Sequence, residues 1–137
     1  MTPRIVPNAR PPRQVKVLVV DDDIGICLLL TRLLTRWGYA VRHVGSAEEA
    51  LEVMTGEPAD ILLTDIAMPG HDGLWLLQQA RRRWPHTAIV MITGHQDAPT
   101  VQASRRMGAV GYVTKPIVPY MLREALERAR AQAFRKA

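Results

Sequence analysis

The sequence predicts an α/β fold in which helices cover both faces of a parallel sheet. Short apolar segments, rich in β-branched residues, alternate along the chain with longer segments whose apolar residues recur at helical spacing. Several of the short segments are almost continuously apolar, which is typical of strands buried on both faces. The five predicted strands are Val15–Val20, Tyr39–Val44, Ile61–Thr64, Ala88–Thr93 and Gly111–Thr114.

Length and composition indicate a single globular domain with a substantial core. The chain has 137 residues, of which 47% are hydrophobic, and its mean hydropathy is −0.05. No apolar run approaches ~20 residues, so we expect no membrane span. No secretory signal is visible, so the expected location is cytoplasmic. The single cysteine, Cys27, allows neither an internal disulfide nor a thiolate metal site.

The net charge of +5 belongs to the two ends of the chain. Residues 1–14 and 123–137 each contribute +3, whereas residues 15–122 carry −1. Nucleic-acid binding is therefore not favoured for the body of the domain. We predict a flexible, basic, proline-rich arm over residues 1–14, a domain over residues 15–134 and a tail over residues 135–137.

The first predicted helix follows the acidic triplet Asp21–Asp23, and Gly38 terminates it. Arg42 and His43 make the second strand more polar than the others, which favours a position at the sheet edge. A capping box of Ser46 and Glu49 opens the second helix. The residues expected to form the inner face of the first helix are Ile26, Leu29, Leu30, Leu33, Leu34 and Trp37.

The third predicted helix runs from Gly73 to Trp84. Trp75 falls outside its inner face, so we expect Trp75 to be available for an exposed contact. Asp97 is the predicted N-cap of the fourth helix, and Pro119 lies in the first turn of the fifth.

Polar side chains follow four of the predicted strands. Asp21, Asp22, Asp65, Thr93 and Lys115 all lie at strand carboxyl ends, which meet at one edge of a parallel sheet. Clustered carboxylates repel each other unless a cation intervenes, and an oxygen-only ligand set suits Mg²⁺ or Mn²⁺.

This set of residues is what phosphoryl transfer to a carboxylate requires. We predict that Asp65 is the nucleophile and that Asp22 binds the metal directly, with Asp21 acting through water. The backbone carbonyl of Ala67 would complete the coordination. Lys115 and Thr93 would bind the phosphoryl oxygens.

Four segments resemble the receiver domain of two-component response regulators: VLVVDDD (17–23), LLTDIAMPGHDG (62–73), MITG (91–94) and GYVTKP (111–116). The resemblance extends over residues 15 to about 134. It implies a flavodoxin-like (βα)5 doubly wound fold, with five parallel strands in the order 2-1-3-4-5. It also implies that a sensor histidine kinase or a phosphotransfer protein donates the phosphoryl group to Asp65.

The resemblance further implies a switch pair, Thr93 and Tyr112, and an output surface on the fourth helix, fifth strand and fifth helix. The family modulates the phosphoryl lifetime at the positions of Ala67 and His95. Arginines such as Arg105 make the output region basic, so we expect a downstream partner with an acidic surface. We expect a monomer or a weak phosphorylation-dependent dimer that catalyses only its own phosphorylation and dephosphorylation.

Two other classes of protein remain as alternatives. A Mg²⁺-dependent phosphatase of the haloacid dehalogenase type would also use Asp65 as nucleophile, but that class carries a second aspartate where this chain has Ala67. The other class is a nucleic-acid binder, for which this sequence offers no recognition motif.

Only about twenty residues follow Lys115, so we expect either a stand-alone receiver or a piece of a longer regulator.

Overall fold

The computed structural model describes residues 14–94 and 98–135, in which five strands alternate with five helices. The predicted basic arm lies outside the described residues except for Gln14. The elements are β1 (Lys16–Val20), α1 (Ile24–Arg36), β2 (Ala40–Val44), α2 (Ala47–Gly56), β3 (Ile61–Asp65), α3 (Gly73–Arg83), β4 (Ala88–Thr93), α4 (Ala98–Arg106), β5 (Gly111–Thr114) and α5 (Pro119–Arg135).

All five strands are parallel, and their order is β2-β1-β3-β4-β5. This order and the alternation with helices confirm the flavodoxin-like fold. The register pairs Val20 with Thr64 and Asp65 with Ile92, so the carboxyl ends of the central strands are level with one another. The more polar β2 lies at one edge, as its sequence predicts.

Short polar side chains fix where the helices begin. Asp23 caps α1 by accepting hydrogen bonds from the backbone N–H groups of Gly25 and Ile26. Ser46 caps α2 through the N–H of Glu49, as the predicted capping box requires. After α1, Gly38 adopts a φ of 95°, which an L side chain rarely tolerates.

The core consists of two clusters, one on each face of the sheet. Alternate residues of β1 belong to opposite clusters: Val17 and Val19 pack under α1 and α5, whereas Leu18 and Val20 pack under α2 and α3. Within residues 14–94 and 98–135, no helix combines the length and apolar character that crossing a bilayer requires.

Two expectations about helix faces were wrong. Leu29 is 42% exposed, because the buried residues of α1 are Cys27, Leu30 and Leu34, which define a face turned away from Leu29. Trp75 is half-buried, because it packs against the core cluster on that side of the sheet and its indole stacks on the His71 imidazole with ring centroids 3.8 Å apart.

Candidate functional site

Three carboxylates meet at the carboxyl edge of the sheet. Asp21 and Asp22 follow β1, and Asp65 is the last residue of the neighbouring β3. One oxygen atom from each of the three lies within 4.8 Å of the others. Asp21 and Asp65 are buried, whereas Asp22 is exposed. The convergence predicted from the strand ends is therefore present for these three residues.

Lys115 places its ammonium group between the two buried carboxylates. Its Nζ lies 3.0 Å from Oδ2 of Asp21 and 3.3 Å from Oδ2 of Asp65, to which it donates a hydrogen bond. The backbone N–H of Lys115 bonds the carbonyl of Thr93 at 2.8 Å, which continues the β4–β5 pairing to the site. The peptide bond from Lys115 to Pro116 is cis.

The electrostatic environment of the site favours the protonated form of both Asp65 and Lys115, so it disfavours the charge of the acid and favours that of the base. Burial, followed by the negative charge of Asp21, raises the pKa of Asp65 above its ordinary value, and Lys115 only partly opposes this. Burial by itself would lower the pKa of Lys115, but the Asp21 and Asp65 carboxylates outweigh it, so the pKa is raised. The lysine therefore stays charged, whereas Asp65 ionises at some free-energy cost.

The residues present fit a divalent cation such as Mg²⁺ or Mn²⁺. Oδ1 of Asp21 accepts a hydrogen bond from the N–H of Asp23 at 2.9 Å. Its Oδ2 is buried and accepts no well-aligned hydrogen bond from the described residues, although Lys115 is close. This oxygen and the carboxylates of Asp22 and Asp65 together form the kind of oxygen ligand set that hard cations prefer.

The other predicted site residues lie around this cluster. Thr93 is buried at the end of β4, paired with Thr114 of β5. Ala67 is exposed in the loop after Asp65, and coordination by its carbonyl stays a prediction. Tyr112 lies on β5 and is 37% exposed, so its ring points outward. His95 lies outside the described residues, and its role stays a prediction.

Three residues support the site in ways that the sequence analysis did not identify. Asp23 caps α1 and also donates its N–H to Asp21; its position before a helical segment is a usable N-cap signal. The Sγ of Cys27 donates to the backbone carbonyl of Asp21 at 3.2 Å. Gly73 lies so close to the carbonyl of Asp65 that a Cβ atom would overlap it. No sequence pattern indicates the last two contacts.

Comparison with known proteins agrees with this geometry. A family model described as the response regulator receiver domain matches residues 17–127. The regulator NtrC of Klebsiella pneumoniae is 39% identical over 98 residues, covering 72% of this chain and 21% of the relative. ZraR of Escherichia coli is 33% identical over 117 residues, covering 85% of this chain and 26% of the relative.

Solved structures give the same result. A CheY-like receiver domain protein from Methanospirillum hungatei superimposes with a TM-score of 0.86 at 28% identity, covering 91% of this chain and 100% of that one. NtrX from Brucella abortus gives 0.85 at 30% identity, covering 90% of this chain and 29% of that one.

The fold and the acidic site with its lysine define a receiver-type domain. The chain belongs to the response regulator receiver family of two-component signal transduction. It spans about a fifth to a quarter of the length of the curated relatives it matches.

Proposed function

We propose that Asp65 accepts a phosphoryl group from a sensor histidine kinase or a phosphotransfer protein, and that this modification switches an output surface. The observation that carries the proposal is the arrangement of three groups: the buried Asp65 lies beside Asp21, and the Lys115 ammonium contacts both. A nucleophilic carboxylate suits phosphoryl transfer when it lies beside a lysine ammonium group and beside further carboxylates that can bind a metal ion.

Each residue has a distinct task in the proposed reaction. An oxygen of Asp65 attacks phosphorus, the bond from phosphorus to the donor breaks, and an aspartyl phosphate results. Asp21, Asp22 and Asp65 would hold a Mg²⁺ or Mn²⁺ ion, which neutralises phosphoryl charge when bound. Lys115 loses part of its pairing to Asp65 and turns its charge to a phosphoryl oxygen. The Thr93 hydroxyl donates to another such oxygen.

The proposed output surface consists of α4, β5 and α5. A groove of about 530 Å³ lies there, lined by Arg105, Tyr112, Met121 and Arg128 among others. Thr93 and Tyr112 are the proposed switch pair, and the guanidinium groups favour a downstream partner with an acidic surface. NtrC is described as a DNA-binding transcriptional regulator; for this receiver we propose a protein partner, with at most weak phosphorylation-dependent dimerisation.

The haloacid dehalogenase alternative is not favoured, because the exposed Ala67 lies where that class needs its second aspartate. We propose that the domain catalyses only its own phosphorylation and dephosphorylation. Its cytoplasmic location stays a prediction.

Acetyl phosphate with Mg²⁺ tests the central proposal. Intact-mass spectrometry is expected to show one added phosphoryl group on the wild type and none on Asp65→Asn. Asp72→Asn is the matched control, because an asparagine still caps α3 and this site lies outside the acidic cluster. Phosphorylation of Asp65→Asn to the wild-type level, or none on the wild type, would refute the assignment of Asp65.

A further inference from the structure

Arg105 holds the ring of Tyr112 in its outward position through two contacts. The guanidinium carbon lies 4.9 Å from the centroid of the tyrosine ring, and Nη2 donates a hydrogen bond to the phenolic oxygen at 3.2 Å. Arg105 belongs to the last turn of α4, and Tyr112 lies on the edge strand β5. The two contacts therefore join a helix to the strand beside it.

The register of the sheet relates this pair to the candidate site. Tyr112 pairs with Met91 on the adjacent strand, so both side chains leave the same face of the sheet. Thr93 follows Met91 by two residues on β4 and shares that face. An inward movement of the Tyr112 ring would carry it across this face toward Thr93, and the ring would first have to leave Arg105.

We propose that Arg105 is a latch that favours the outward Tyr112 and thereby sets how readily the switch moves inward. The proposal rests on the proposed function, because it assigns a regulating residue to that switch. The latch proposal also extends the proposed function, because the latch acts on the domain before any phosphoryl group is present. The switch is then an equilibrium between two ring positions, which Arg105 biases through contacts made in only one of them.

The size of the bias follows from the contacts. A guanidinium group over an exposed aromatic ring contributes about 0.5–1 kcal/mol, which corresponds to a two- to five-fold change in an equilibrium constant, roughly. Loss of Arg105 should therefore raise the ratio of inward to outward Tyr112 by about two- to five-fold. Arg105→Lys should retain part of the latch, because an ammonium group can also lie over the ring and donate a hydrogen bond.

The test is ¹⁹F NMR of the full chain labelled with 3-fluorotyrosine, without a phosphodonor. Tyr112→Phe identifies the resonance of Tyr112 among the three tyrosines. The H₂O/D₂O isotope shift of that resonance measures its exposure to solvent. Arg105→Gln is expected to reduce this exposure, and Arg105→Lys to reduce it less.

Arg106→Gln is the matched control, since Arg106 is an exposed neighbour with the same charge on the same helix. The proposal is overturned if Arg105→Gln leaves the exposure of Tyr112 unchanged or increases it, or if Arg106→Gln reduces it equally. A wild type that takes no phosphoryl group from acetyl phosphate would refute the proposed function, but the exposure measured without the donor would still decide the latch.

Discussion

Asp65 is a residue whose ionised form the fold disfavours. It is 4% exposed, and burial together with the nearby Asp21 raises its pKa despite the opposing charge of Lys115. Ionisation of Asp65 therefore lowers the free energy of unfolding below the value expected with a neutral side chain at this position. A cation bound among these carboxylates would relieve their mutual repulsion, in agreement with the oxygen-only ligand set of the site.

Neutralising Asp65 should stabilise the metal-free protein in a pH-dependent way. The unfolded chain ionises this group near its ordinary pKa of 3.8, and the folded pKa is higher. The penalty is therefore absent below about pH 3.8, grows as pH rises and is complete above the folded pKa. At pH 7 we expect Asp65→Asn to raise the free energy of unfolding, measured by urea denaturation with EDTA present.

Asp22→Asn is the control for this experiment, because Asp22 is exposed and its neutralisation should change stability little. An Asp65→Asn variant that is less stable than the wild type at pH 7, or whose advantage persists at pH 3, would contradict the electrostatic explanation.

The sequence predicts the principal site residues well and their detailed contacts poorly. The proximity of Asp21, Asp65 and Lys115 can be predicted from the sequence, because parallel strands align their carboxyl ends. The contact between Arg105 and Tyr112 cannot be predicted in this way, since it depends on the exact direction of two exposed side chains from different elements.

At the scale of elements, α1 shows how far periodicity can be trusted. Its spacing correctly identifies a helix with Leu30 and Leu34 in the core. It also assigns Leu29 to the buried face, but that face is turned toward Cys27, and Leu29 is exposed. Hydrophobicity ranks leucine above cysteine, but the position on the helix decides burial, and Leu29 lies outside the buried face.

The first turn of α3 depends on a glycine. Gly73 is buried, donates its N–H to the carbonyl of Ile66 at 2.8 Å and leaves no space for a Cβ against the backbone of Asp65. Because backbone cannot yield as a flexible side chain can, we expect Gly73→Ala to lower the free energy of unfolding by about 2–3 kcal/mol. The added Cβ should also displace the backbone of Asp65 at the end of β3, and this displacement should slow phosphorylation by acetyl phosphate.

Gly56→Ala provides the comparison, since Gly56 ends α2 with nothing within 4 Å of an added Cβ. This change should be neutral or slightly stabilising, by thermal unfolding followed with circular dichroism. Equal destabilisation by the two substitutions would mean that the close approach at Gly73 is not the cause.

At the scale of the whole molecule, the site joins elements that are distant in sequence. Asp21 follows β1, Asp65 ends β3 and Lys115 follows β5, so the site exists only in the folded sheet. A ligand that needs all these groups binds the native state alone, and its binding free energy adds to the stability of the fold.

Mg²⁺ should therefore raise the melting temperature of the whole domain. At ten times the dissociation constant, the added stability is about 1.4 kcal/mol, and differential scanning calorimetry across a Mg²⁺ titration measures it. Asp65→Asn and Asp22→Asn should each lose most of the shift, because each removes a carboxylate from the cluster. Glu52→Gln, which neutralises an exposed acid on α2 outside the cluster, should keep it. Equal shifts in the Asp65 and Glu52 variants would show that the ion stabilises the protein from some place other than the carboxyl edge of the sheet.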